Sequence, residues 1–266
     1  MTAFRPGSTG QPEALDLYCC AGGATKGLQR AGFWVKGVDR AARPNYCGDE
    51  FEEADALDYL RRLIRTGEIR RFALIVSGPP CQERCTLRQG TNLARGWGAD
   101  HEQLVPPTRE LLAATGLPFV IEQPSNHGGL IRVDLTLCTD MFPIGPPPWV
   151  QRHRDFETHG FTVDQPPHPA GPVRGHRGYV RGYRGKSRGR PGFFREGPYV
   201  APYGNGGGKA TVLEMQHALG IDWTDVREEL TEAIPPVYTE HIGRAFLNGR
   251  PAAGTPETID RPLLAA

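Results

Sequence analysis

Apolar residues along this chain fall into two alternating patterns. Short runs at residues 14–18, 33–38, 72–76 and 117–121 are dominated by Leu, Ile, Val and Phe; two stop at an acidic residue, Asp39 and Glu122, and the other two lead into the Gly- or Pro-bearing turns Cys19-Cys20-Ala21-Gly22-Gly23 and Ser77-Gly78-Pro79-Pro80. Runs of that length and composition predict buried β-strands. Between them the apolar positions recur at helical spacing. Residues 25–31 follow a glycine-rich turn, and the segment 51–69 carries Ala54, Leu57, Leu60, Leu63 and Ile64 on one face with Arg61, Arg62 and Arg65 outside. Residues 106–115 read as a further helix, closed by Gly116. Strand and helix in alternation predict an α/β fold built on a largely parallel sheet.

After residue 142 the pattern changes. Residues 143–149 are proline-rich, residues 174–195 are dominated by glycine, arginine and tyrosine, and helical periodicity returns at 212–219, before Gly220. A second helical stretch leads to Ala233-Ile234-Pro235-Pro236, and residues 238–247 predict a last helix. The expected organisation is a loose lead-in (1–12), a catalytic and cofactor-binding unit (13–150), a short basic recognition region (151–205), C-terminal helices returning to the first unit (206–249) and a tail (250–266).

With 266 residues the chain is long enough for one full α/β domain and a small appendage. Its formal net charge of +1 names no partner, so any affinity for nucleic acid has to come from local clustering. The six cysteines form no CxxC pair, which argues for a reducing, cytoplasmic setting and against a structural zinc site. No apolar run has membrane-spanning length, and no signal peptide is expected.

Candidate chemistry sits where the predicted strands end. The run at 72–76 is followed by Ser77-Gly78-Pro79-Pro80-Cys81-Gln82, which would deliver one cysteine onto a rigid turn. A lone cysteine on a turn is as readily inert as nucleophilic. The first strand leads into Cys19-Cys20-Ala21-Gly22-Gly23, a turn that lets a ligand approach a helix N-terminus or simply turns a corner. Asp39 ends the second strand, placed to accept hydrogen bonds from ribose hydroxyls. Asp55 opens the third segment's helix, where its bland role is an N-cap. Glu122 follows the strand at 117–121 as a carboxylate at a buried strand's end.

Two basic features come later. Arg152 and Arg154 would point to one side of an extended chain and could hold an anion or a base, or form a solvated edge. Between 174 and 195, Arg174, Arg177, Arg181, Arg184, Lys186, Arg188, Arg190 and Arg195 are interleaved with Tyr179, Tyr183, Phe193 and Phe194. Charge runs are often solvated faces. Aromatic platforms at these intervals favour nucleic-acid contact.

Taken together, the motifs resemble the DNA cytosine-5 methyltransferases, most closely the compact phage and prophage type. Asp16-Leu17-Tyr18-Cys19-Cys20-Ala21-Gly22-Gly23 is similar to the family's first S-adenosylmethionine motif, Gly78-Pro79-Pro80-Cys81-Gln82 to its catalytic Pro-Cys motif, and Glu122-Gln123-Pro124 to its Glu-Asn-Val motif. Arg152-His153-Arg154 resembles its Arg-x-Arg motif, and Ala233-Ile234-Pro235-Pro236 the C-terminal motif that folds back beside the cofactor. The order is kept over residues 13–247. Cys20, Arg84, Cys85, Gln123, Pro124, Val150 and Glu232 depart from the usual residues.

The resemblance implies a Rossmann-like S-adenosylmethionine-dependent methyltransferase sheet with helices on both faces, plus a small irregular target recognition region. It implies Cys81, Glu122, Arg152 and Arg154 as catalytic residues. The cofactor is expected over Asp16, Tyr18, Cys19, Cys20, Ala21, Gly22 and Gly23, with its ribose at Asp39 and Arg40, its adenine at Asp55 and Ala56, and Pro80 lining the pocket. Arg174, Arg177, Tyr179, Arg181, Tyr183, Arg184, Lys186, Arg188 and Arg190 are expected to bind double-stranded DNA. A monomer without a metal is expected. Three other readings share these residues: an RNA cytosine-5 methyltransferase, a transferase using a modified sulfonium donor, and an inactive DNA-binding relative.

Overall fold

The structure is a computed structural model that describes residues 10–80, 103–125, 127–142, 145–169, 178–180, 193–195, 197–202 and 210–249. Its first half runs through β1 (Glu13–Leu17), α1 (Gly23–Ala31), β2 (Trp34–Asp39), β3 (Glu50–Glu53), α2 (Ala56–Thr66), β4 (Phe72–Ser77), α3 (Val105–Thr115) and β5 (Phe119–Pro124). Then come β6 (Leu135–Leu137), β7 (Arg154–His159), the short strands β8 (Gly178–Val180) and β9 (Phe193–Arg195), and α4 (Val212–Leu219), α5 (Arg227–Glu232) and α6 (Pro236–Asn248).

Seven strands form one sheet in the order β3-β2-β1-β4-β5-β7-β6. All neighbours pair in parallel except β7, which is antiparallel to both β5 and β6. The central strands β1 and β4 are buried along their whole length, as their apolar composition requires in a sheet covered on both faces. Alternation along each strand sorts the side chains into two cores. Ala14, Leu74, Val76, Val120 and Phe156 face α1 and α6, while Leu15, Leu17, Ile75, Phe119 and Ile121 face α2 and α3. A third cluster, with Met215, Leu219, Ile221 and Leu230, joins α4 and α5 to Val150 and Val200. The expected α/β class with helices on both faces is what is seen. Among the described residues no helix is long and apolar enough to cross a membrane.

Three boundaries differ from the sequence reading. Residues 50–53, expected at the head of a helix, form β3, because Glu50 and Glu52 project to the same side and both reach Lys36 of β2 at 2.9 Å. The helix begins only at Ala56, where the Asp55 carboxylate accepts the N–H groups of Leu57 and Asp58. Residues 154–159, read as the start of the recognition region, instead form β7 inside the main sheet. The polar stretch expected as a loop at 83–101 lies outside the described residues.

The C-terminal helix returns along the first. A Cβ on Gly23 would stand 2.3 Å from the Ile234 carbonyl oxygen, and one on Gly27 2.0 Å from that of Pro236 and 2.1 Å from the Thr239 hydroxyl. Thr239 donates that hydroxyl to the Ala24 carbonyl at 2.7 Å. On α6, Gly243 meets Ala31, Phe33 and Leu28 in the same way. The two backbones therefore touch only because small residues line the seam. Gly27→Ala should lower unfolding free energy by about 1–3 kcal/mol despite alanine's better helix propensity. Denaturant melts of the two proteins check this, and equal midpoints would show that the seam relaxes freely.

Candidate active site

Strand order reverses at β1, whose neighbours β2 and β4 lie on opposite sides. The helices following β1 and β4 pack on opposite faces of the sheet, and in sheets of this kind a crevice opens outside the carboxyl ends of those strands. The turn at 18–23 leaves β1 there, Asp39 ends β2, Gly78-Pro79-Pro80 leaves β4, and Glu122 to Pro124 end β5. Because β7 runs the other way, its beginning reaches the same rim. Arg154 stands opposite Pro124, and Phe156 opposite Glu122.

The turn after β1 is tightly built. Tyr18 and Cys20 adopt left-handed backbone at φ 61° and 48°, which orients successive peptide groups around the bend. The Cys20 N–H donates to Asp39 Oδ2 at 3.1 Å, and Asp39 Oδ1 accepts the Ala41 N–H at 3.1 Å and pairs with Arg43 at 3.0 Å. The Trp223 indole donates to the Ala21 carbonyl at 2.8 Å. Behind the turn, the Thr25 hydroxyl donates to Asp16 Oδ2 at 2.6 Å, and the Tyr46 hydroxyl lies 3.1 Å from Thr25 Oγ1. The Tyr46 ring occupies space left by Gly37 and Gly48, where a Cβ would stand 2.4 Å and 2.1 Å from it, and it also borders Gly22.

Burial raises Asp16 to about 7, against the opposing pull of Thr25, and the Asp39 charge adds to the rise. Burial also raises the thiols of Cys19 and Cys20, the latter to about 11. The cysteines of this turn are therefore neutral packing groups at neutral pH, with Cys20 Sγ directed at Glu232 Oε2 at 3.8 Å.

On the other side of the crevice, Glu122 is buried against the turn that leads to Cys81. Its Oε2 lies 3.5 Å from where a Cβ on Gly78 would stand, and the Ile234 side chain borders the same point. The neighbouring Gln123 donates its side-chain amide to the Pro79 carbonyl at 2.7 Å, fixing β5 to the turn. Arg154 Nε approaches Glu122 Oε1 to 2.6 Å. No N–H points at that oxygen, so the contact is a charge pair rather than a formed hydrogen bond. Burial pushes the Glu122 carboxyl up, opposed by Arg154 and then Arg152. Arg152 is itself buried. Desolvation and the repulsion of Arg154 bring it down to about 9, and it donates to the Thr231 carbonyl. Tyr238 donates to the Arg152 carbonyl, which ties α6 to this loop.

On the β4, β5 and β7 side of this rim, four polar atoms are buried without a hydrogen bond among the described residues: Ser77 Oγ, Glu122 Oε1, Gln123 Oε1 and Arg152 Nε. Each such group costs about 1–3 kcal/mol unless something completes it. Their grouping at the carboxyl ends of β4 and β5 and the entry to β7 is what a polar ligand would satisfy.

Of the residues singled out by sequence, Asp16, Tyr18, Cys19, Cys20, Ala21, Gly22, Gly23, Asp39, Glu122, Arg152 and Arg154 gather along this rim. Tyr18 turns its phenol to Thr108 of α3 at 2.8 Å. Asp55 caps α2 as its bland reading held, with Ala56 buried beside it. Arg40 and Pro80 are exposed. Cys81 lies outside the described residues, as do Arg174, Arg177, Arg181, Tyr183, Arg184, Lys186, Arg188 and Arg190. Tyr179 is described by its backbone, in β8, opposite Phe194 of β9. Ser77, Gln123, Arg43, Tyr46 and Trp223 escaped the sequence reading. Only Gln123 carried a visible signal, its place beside Glu122.

No protein-family model matches the sequence, and no curated protein is a significant match to it. Among solved structures, a protein described as a DNA modification methyltransferase encoded within an E. coli prophage aligns with a TM-score of 0.52. The alignment covers 89% of this chain and 99% of that one at 12% identity. The two chains share a fold. A SAM-dependent methyltransferase of Agrobacterium tumefaciens aligns at a TM-score of 0.28, over 47% of this chain and 40% of that one at 21% identity, too little to carry weight.

Asp16 supplies a pH signature. Its raised value means that, between its ordinary 3.8 and about 7, the folded chain holds a proton that the unfolded chain has released. Its contribution to stability therefore falls as pH rises through that window. Asp16→Asn should gain stability relative to the parent from pH 4 to 7 and level off above, as read by urea melts at a series of pH values. Parallel profiles would contradict the assignment.

Proposed function

We propose that this chain is a DNA cytosine-5 methyltransferase that uses S-adenosylmethionine. The observation that carries the reading is Glu122. It is a buried carboxylate with a raised proton affinity, held against the turn that leads to Cys81 and flanked by two arginines. A rim that brings an acid, a turn bearing a cysteine and a glycine turn to one crevice suits addition chemistry on a pyrimidine. The fold shared with a described DNA modification methyltransferase supports the same direction.

The residues fit the methyl donor. Ser77 presents a buried hydroxyl without a hydrogen bond among the described residues at the β1–β4 seam, and Asp39 and Asp55 place carboxylates at the end of β2 and just beyond β3. When bound, S-adenosylmethionine supplies an electrophilic methyl on sulfonium sulfur. Asp39 with its Arg43 partner orients the ribose side, Asp55 the adenine amine, and Ile234 closes the pocket beside Gly23.

The remaining chemistry belongs to the chain and the base. C5 of cytosine is a poor nucleophile, so the Cys81 thiolate first adds to C6. Glu122, whose burial raises its proton affinity, shares a proton with N3 as negative charge builds there, and the C5–C6 π electrons displaced by the new S–C6 bond shift into a C4–C5 enamine that is nucleophilic at C5. Arg152 and Arg154 hold the O2 edge and the sugar-phosphate. After C5 has taken the methyl group it loses its proton to a base, the C5–C6 double bond re-forms, and the thiolate leaves. A duplex hides C6, so the base is flipped out at a cost of roughly a few kcal/mol. The Arg/Tyr-rich region supplies phosphate contacts, and its short length points to a short recognition sequence.

The test is transfer of labelled methyl from S-adenosylmethionine to duplex DNA, with transfer RNA as the competing substrate. Label should appear at C5 of cytosine in DNA. A covalent adduct should form on duplexes containing 5-fluorocytosine and be absent in Cys81→Ser. Glu122→Gln should lower turnover by about 10²–10⁴-fold. Transfer to RNA alone, a product other than 5-methylcytosine, or full activity in either variant would overturn the reading.

A further inference from the structure

Behind the turn that carries Arg152 and Arg154, three residues unused by the reaction come together. We propose that Cys138, His153 and His168 form a binding site for a thiophilic divalent cation, with zinc the ion whose ligand chemistry suits them best. One ligand atom from each lies within 4.8 Å of the others. An ion of this class sits about 2.0–2.3 Å from nitrogen and sulfur ligands, so the three need to close by only about an ångström. His168 is exposed and can supply that movement by rotating its ring.

The surroundings match what such an ion needs. Cys138 is fully buried at the end of β6, and the backbone N–H groups of Asp140 and Arg152 point at its sulfur, an environment of donors suited to a thiolate acceptor. Metal binding releases the thiol proton and forms the sulfur–metal bond in its place. His168 Nδ1 lies 2.8 Å from the Pro169 carbonyl. Donating its proton there leaves the lone pair on Nε2, the tautomer and outer hydrogen bond typical of a ligating histidine.

The His153 and His168 rings stack at 5.3 Å with a 17° tilt. Asp140 and Asp155 add a negative field around His153 that favours a cation. Three protein ligands leave a fourth position for water. The Met141 thioether, which accepts the Cys138 N–H at 3.4 Å, is a further soft donor beside the cysteine. The ligands are spaced 15 residues apart twice over, so no short motif announces them. His153 separates Arg152 from Arg154, so the ion would brace the turn that carries both arginines and tie it to the chain entering the basic region. This site stands whether or not the chain methylates DNA.

The test uses the full chain, reduced, stripped of metal, and titrated with Co²⁺. A thiolate-to-cobalt charge-transfer band should saturate at one equivalent and vanish on adding Zn²⁺. Cys138→Ser, which keeps the other five cysteines, should lose the band. His153→Ala and His168→Ala should each weaken binding at least about tenfold, the lower bound seen even for outer partners of a metal site. Because His168 is exposed, its variant should keep the parent's circular dichroism, so weaker binding there cannot be blamed on misfolding. Zn²⁺ should raise the melting temperature of the parent but not of His168→Ala. A folded parent without a band, a band surviving Cys138→Ser, or unchanged affinity in His168→Ala would overturn the proposal.

Discussion

The constraint on which this molecule depends is the divergence of the chain at β1. With β4 beside β1, the helix leaving β1 (α1) covers one face and the helix leaving β4 (α3) covers the other, so neither closes the gap above the seam. Every chemically notable residue that the structure describes along the rim is there because a strand ends there. The reversed strand β7 adds the arginines, since an antiparallel neighbour presents its beginning where parallel strands present their ends. The C-terminal segment then walls the crevice, its approach made possible by Gly23 and Gly27, while Trp223 and Ile234 reach the turn.

The same rim explains its own electrostatics. Glu122 and Arg152 are both buried, and in each case desolvation is the largest influence on the charge. The carboxylate shifts toward its neutral form while two cations resist, and one of those cations is weakened by the other. Such a set is costly if left empty, and several buried polar atoms around it make no hydrogen bond among the described residues. A protein that retains that arrangement keeps polar groups where a polar ligand can complete them.

Much of this was legible in the chain before any coordinates. The strands at 72–76 and 117–121 announced themselves because fully buried parallel strands have no polar alternation to blur them. The turns that follow them, and Glu122, fell where expected. What stayed hidden was held by partners distant in sequence. β3 reads as acidic and helical until Lys36 is seen between Glu50 and Glu52. β7 is a strand only by virtue of its neighbours, its own residues Arg154 to His159 being mostly polar. Asp39 looked available, yet the chain supplies Arg43 four residues later as its partner. Gln123 looked like a departure from pattern and proves to be the tie between β5 and the proline turn.

Tyr46 belongs to the loop after β2, yet its ring fills the hollow left by Gly37 in the sheet face and by Gly48. A displacement of that loop large enough to free Asp39 from Arg43 would have to carry the ring with it or open a void beside Asp16 and Thr25. Voids of that size are energetically severe in a packed interior. The Asp39 side of the crevice is in this way anchored like a peg in a socket, and whatever enters there must be met by a mould already set.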